Sequence, residues 1–126
     1  MNAVIATVDG TWLVDLETEE IVAKTDSPAQ ALVDIDLPLV VAAARAGATI
    51  VAVVDRRPPL AVSHDAGRTW RETGGGLPKG SAVAIDDDNP DRMLYAGRNR
   101  LFVTEDGGRF WRALVLELPE ITSVSF

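Results

Sequence analysis

Apolar residues in this chain come mostly in short runs of three to six, the longest run being Leu37 to Ala44. Among the short runs are Val4-Ile5-Ala6-Thr7-Val8, Thr11-Trp12-Leu13-Val14, Thr49 to Val54, Leu60-Ala61-Val62, Ala82 to Ile85, Met93 to Gly97, Leu101-Phe102-Val103 and Ile121 to Phe126, all but the last abutting Gly, Asp, Asn, Pro or Arg on at least one side. Runs this short, rich in β-branched residues and punctuated by turn formers, predict strands rather than helices. Asp9-Gly10 is a two-residue hairpin signal, Arg98-Asn99-Arg100 a second hairpin loop, and Asp86 to Asp91 a turn whose side chains can bond their own backbone. The stretch from Ser27 to Gly47 is less regular. Val40, Val41 and the Ala46-Gly47 turn predict a strand over Pro38 to Arg45. An earlier strand over Ala31 to Asp36 is the alternative, and Ala42 to Ala48 has helix propensity of its own.

The runs repeat. Ser63-His64-Asp65-Ala66-Gly67-Arg68-Thr69-Trp70 and Thr104-Glu105-Asp106-Gly107-Gly108-Arg109-Phe110-Trp111 both fit Ser/Thr-x-Asp-x-Gly-x-x-Trp and start 41 residues apart, a spacing typical of propeller blades and helical arrays. An Asp in a tight turn accepts bonds from the following amides, Gly takes the positive φ, and the hydroxyl adds a second local acceptor. A Trp at the end can cover the gap between sheets, provided its indole N–H finds a partner. Ser63, Asp65, Gly67, Thr69, Trp70, Thr104, Asp106, Gly108 and Trp111 are therefore read as structural staples. In the first repeat the octet has decayed: Glu17 stands where the Asp is expected, with no Gly and no Trp.

The octet resembles the Asp-box, or BNR repeat, of sialidases, sortilin-type receptors, some glycosidases and the photosystem II assembly factor family. The resemblance implies an all-β fold of three four-stranded propeller blades, over about 1–37, 38–80 and 81–126, in one domain. It also implies that the boxes lie on the face away from the binding site. The chain opens on the second strand of a blade and ends, at 121–126, on a strand matching the first strand at Ala82 to Ile85. Three blades are too few for a ring of about four to eight. The expectation is a homodimer in which each C-terminal strand completes the partner's first blade, giving six blades. A longer partner chain or a larger ring are the alternatives.

Composition narrows the chemistry. The net charge of −7 argues against nucleic acid as a partner. No apolar run is long enough to span a bilayer and no leader pattern opens the chain, so the expectation is a cytoplasmic protein without a membrane partner. With no Cys and one His, only oxygen ligands are left for a metal, and neither a metal nor another cofactor is expected. Asp86-Asp87-Asp88-Asn89 lacks the spacing of a calcium loop and reads as a solvated turn. His64 reads as a surface residue, and Gly74-Gly75-Gly76 as a flexible connection.

Arg56, Arg57, Lys79, Arg98 and Arg100 fall in the loops that share one end of a propeller. Guanidinium forks there would hold a small anionic or glycan ligand through carboxylate or phosphate oxygens; pairing with nearby acids is the plainer role for the same residues. The function expected is a non-catalytic binding or scaffold module. The resemblance keeps two alternatives open, a sialidase-like or other Asp-box glycoside hydrolase and an assembly factor. A sialidase needs a tyrosine nucleophile, and the only tyrosine, Tyr95, sits within an apolar run.

Overall fold

A computed structural model describes residues 1–26, 35 and 37–126. The described residues hold twelve strands and no helix: β1 (Asn2–Thr7), β2 (Gly10–Asp15), β3 (Glu20–Thr25), β4 (Val40–Ala46), β5 (Thr49–Val54), β6 (Leu60–Ser63), β7 (Arg71–Thr73), β8 (Ala82–Asp86), β9 (Asn89–Gly97), β10 (Arg100–Thr104), β11 (Arg112–Glu117) and β12 (Ile121–Ser125). Among them, accordingly, no helix is long and apolar enough to cross a membrane. β4 confirms a strand where 38–45 was expected, one or two residues later. The alternative strand at 31–36 lies almost wholly outside the described residues.

The strands form three four-stranded antiparallel sheets, ordered β12-β1-β2-β3, β4-β5-β6-β7 and β8-β9-β10-β11. The third sheet is the middle layer. One of its faces presents Leu94, Ala96, Leu101, Val103 and Leu114 to Ala3, Ile5 and Val14 of the first sheet. The other presents Met93, Tyr95 and Phe102 to Val51, Val53, Leu60 and Val62 of the second. Burial on both faces is why β9 and β10 read as near-continuous apolar runs rather than as alternating strands. The inner strand β8 touches β4 and β12, so the sheets fan from a shared inner edge in a propeller-like arrangement, in the spatial order second, third, first.

That order corrects the expected route of the C-terminus. β12 pairs antiparallel with β1 of its own chain, Ile5 opposite Val124 and Ala6 opposite Ser123, so the chain's own C-terminal strand completes the first sheet. The physical reason lies in the short link after β11. Leu118 N–H bonds to the Asn99 carbonyl at 3.1 Å, Ile121 N–H to the Arg98 carbonyl at 2.7 Å, and Val8 N–H to the Glu120 carbonyl at 3.0 Å. The Ser81 hydroxyl also donates to the Ile121 carbonyl at 2.9 Å. These bonds turn the chain over the β9–β10 hairpin and deliver it to the free edge of β1. Ile121 and Val124 then bury almost completely.

Candidate functional site

The hairpins β1–β2 and β9–β10 and the links β7–β8 and β11–β12 gather at one end of the molecule, as their mutual hydrogen bonds show, and the Lys79–Asp55 ion pair ties the β5–β6 loop to the β7–β8 link. All five basic residues singled out in the sequence lie in or beside these loops. Their charges are partly spent on neighbours. Arg56 is 3.7 Å from Glu72, Lys79 is 3.1 Å from Asp55 and Arg100 is 3.4 Å from Glu117. Arg100 also donates to the Leu114 carbonyl at 3.2 Å, which ties it to β11. These exposed pairs contribute at most about 1 kcal/mol each and reorganise readily. Arg57 and Arg98 are exposed and have no ion-pair partner among the described residues. Arg57 lines an open cleft of about 570 Å³ with Pro58, Glu72, Gly75, Gly76 and Leu77.

A buried anchor holds this end together. Tyr95 is fully buried, its hydroxyl donates to the Pro78 carbonyl at 2.5 Å, and burial pushes its ionisation up to about 12. Its ring lies 5.9 Å from Phe102 and 6.1 Å, edge-on, from Trp111. A phenol that is sealed, neutral and already donating is a poor nucleophile. Gly80 packs so closely on the ring that any Cβ there would overlap it. Sequence reasoning passed over Gly80, because a glycine demanded by a distant side chain looks like any loop glycine.

The two octets lie at the opposite end and fold as near-copies. The Ser63 hydroxyl donates to Asp65 at 2.8 Å and accepts from Gly67 N–H at 2.8 Å; the Thr104 hydroxyl donates to Asp106 at 2.7 Å and accepts from Gly108 N–H at 3.1 Å. The Thr69 hydroxyl and amide bond to the Asp65 carboxylate at 2.6 and 2.9 Å, which holds that carboxyl down at about 2. The Phe110 amide, the Thr104 hydroxyl and the Arg109 amide lower Asp106 in the same way. Gly67 and Gly108 take φ values of +90° and +92°. In the first sheet Asp15, not Glu17, closes the turn, accepting from the Glu17 and Thr18 amides, and those bonds lower its carboxyl too.

Each of two turns is docked on a neighbouring sheet. The Trp111 indole donates to the Gly108 carbonyl at 3.0 Å and reaches the Thr73 hydroxyl at 3.4 Å. The Thr73 hydroxyl in turn donates to the Gly108 carbonyl, and the Arg71 guanidinium donates to the Gly107 carbonyl at 2.9 Å. Where the octet has decayed, Glu19 replaces it, accepting from the Val115 amide at 2.7 Å and lying 3.6 Å from Arg112. Arg71 and Arg112 directly follow the two octet tryptophans, a repeat in the sequence that could have marked them.

The remaining candidates separate cleanly. His64 is exposed beside Thr49, 3.4 Å from its hydroxyl. Asp86 is buried against Arg92 at 3.5 Å, whereas Asp87 and Asp88 are exposed on the turn, so the acidic run is divided rather than converging. Among the described residues no group of three or more His, Cys, Asp or Glu is placed to hold a metal.

Fold and loop geometry define an all-β protein of three propeller-like sheets. No protein-family model and no curated protein sequence matches the chain. Among solved structures it is similar to the GH74 enzyme of Niastella koreensis, with a TM-score of 0.49 and 19% identity over 93% of this chain. The match spans 18% of that enzyme's length. The architecture described above rests on the chain's own strand pairing and not on that likeness.

Proposed function

We propose that the chain is a half-propeller of the Asp-box kind, serving as a non-catalytic binding module that takes a small anionic ligand at its loop end. The observation that carries the reading is the pair Arg57 and Arg98, two exposed guanidinium groups on neighbouring loops without ion-pair partners among the described residues, one of them lining the cleft. Guanidinium binds a planar carboxylate or a phosphate through two parallel N–H donors. Arg56 and Lys79 stand close by on weak pairs that an incoming anion can replace. The octet turns, at the far end and internally satisfied, supply rigidity and no chemistry. The burial of Tyr95 speaks against the hydrolase reading.

Isothermal titration with phosphate, citrate and a sialic acid carboxylate tests the proposal. At least one should bind with an affinity that Arg57→Ala combined with Arg98→Ala lowers by about tenfold or more, the effect of losing roughly 1.4 kcal/mol. An affinity indifferent to that double substitution refutes the site.

A further inference from the structure

The two joints inside the molecule obey one rule: the turn between the third and fourth strands of one sheet sits on the fourth strand of the sheet before it. The third sheet's turn sits on β7 through Arg71, Thr73 and Trp111. The first sheet's turn sits on β11 through Glu19, Arg112 and Val115. Because the spatial order is second, third, first, the rule leaves two halves over. One is the second sheet's turn at 63–70; the other is β3, the fourth strand of the first sheet.

Both halves carry the marks of the joint. A Cβ built at Gly108 would meet Thr73 Cγ2 and Val62 Cγ2 of the neighbouring sheet, both at 3.4 Å, besides Trp111 at 3.6 Å. At Gly67 the same construction meets Trp70, again at 3.6 Å, and then only Ile50 of its own sheet at 3.9 Å among the described residues. The turn is a near-copy and, among the described residues, has no neighbouring sheet beneath it.

The strand it needs is recognisable by register. Thr73 lies opposite Leu60, the first residue after the pair that closes the β5–β6 loop. Thr25 lies opposite Thr11, the first residue after the Thr7–Gly10 pair that closes the β1–β2 hairpin. Thr25 therefore stands where Thr73 stands. β3 is exposed along its whole length although Ile21, Val22 and Ala23 are apolar, Ile21 and Val22 being 46% and 55% exposed.

We propose that a second copy of this chain supplies the missing half at each end. The turn at 63–70 of one copy docks on β3 of the other, Trp70 and the Gly67 carbonyl meeting the Thr25 hydroxyl as Trp111 and Gly108 meet Thr73. The inference rests on the half-propeller reading above and names its partner. Two identical joints close a two-fold dimer of six sheets, within the range of about four to eight that propellers adopt, whereas three copies would make nine. Ala23, opposite Leu13, occupies the place of Arg71, opposite Val62. The joint between copies thus lacks the guanidinium contact of the internal one, and the dimer is expected to dissociate on dilution.

Light scattering and sedimentation from micromolar to millimolar protein test this, with wild type, Thr25→Arg and Trp70→Ala. Wild type should reach twice the 13.5 kDa chain mass. Each substitution should weaken self-association by about tenfold or more, a loss of roughly 1.4 kcal/mol. Thr25 is exposed on an outer strand, so Thr25→Arg leaves the fold intact and keeps the test valid even where Trp70→Ala does not fold. A wild type that stays monomeric throughout, a trimer, or a dimer unmoved by Thr25→Arg overturns the proposal. Titrating the anion into the same samples separates the two readings. A monomer whose arginine variants lose affinity removes only the dimer, and a Thr25-dependent dimer without anion binding removes only the ligand site.

Discussion

Gly80→Ala gives the sharpest test of how the loop end is built. At an ordinary loop glycine whose φ suits any residue, alanine stabilises by about 0.4–1 kcal/mol, because the unfolded chain has less freedom to lose. Gly80 has no left-handed φ, so that gain is available in principle. Its Cβ would, however, overlap the Tyr95 ring. The ring cannot retreat: it is fully buried, touches Phe102 and Trp111, and is tied by its hydroxyl to Pro78 at 2.5 Å. Overpacking of this kind costs about 1–3 kcal/mol. Gly80→Ala should therefore destabilise by about 1–2 kcal/mol in urea unfolding. In a Tyr95→Leu background, itself less stable, the ring is gone and the same substitution should become neutral or stabilising. The coupling from the four-member cycle should exceed about 1 kcal/mol. Equal effects of Gly80→Ala in both backgrounds would show that the close approach to Tyr95 is not what requires glycine.

Other expectations follow from the same contacts. Asp65 has its carboxyl lowered to about 2, below its unfolded value, so its contribution to stability is complete above roughly pH 4 and is lost as pH falls toward 2; Asp65→Asn should flatten that part of the acid unfolding curve, and an unchanged acid limb would contradict the turn geometry. The single tyrosine should titrate near 12 by tyrosinate absorbance instead of near 10, with stability falling above about pH 10 as the unfolded chain ionises first; a midpoint near 10 in folded protein would mean that Tyr95 is open to water. Ile121→Ala, at 1% exposure in β12, should cost about 2–5 kcal/mol in urea unfolding, whereas a loss under about 1 kcal/mol would mean the strand is not seated on β1. Thr73→Val removes one donor to the Gly108 carbonyl at nearly constant volume while the Trp111 indole keeps bonding it, and should cost about 0.5–1.5 kcal/mol, measured by thermal melting; a neutral result would mean that the internal joint does not depend on this bond.

Much of the fold was legible because it is local. β5 spans the predicted Thr49 to Val54, and β8 and β12 match their predicted runs to within a residue. The octet turns came through for the same reason: their bonds join residues two to four apart, so hydroxyl, carboxylate and glycine had to appear in fixed order. The first repeat misled through a slip in alignment. Matching Glu17 to Asp65 shifts the strand by one position relative to the hairpin register, and in a strand one position exchanges the two faces. Ile5 and Val14 meet the third sheet, and Asp15 closes the turn.

The sequence by itself determined the cores of β1, β2, β5, β6, β8, β10 and β12, how the octets bond internally and which loops carry the arginines, since each depends on neighbours along the chain. Only the tertiary structure decided which sheet receives β12, which arginines spend their charge on Glu72 and Glu117, and why Gly80 must lack a side chain. Those outcomes turn on groups that are remote in sequence. A strand with a free edge pairs with whichever edge its short link can reach, an ion pair forms with whichever carboxylate the folded loops bring within about 4 Å, and a buried ring excludes whatever the chain places against it.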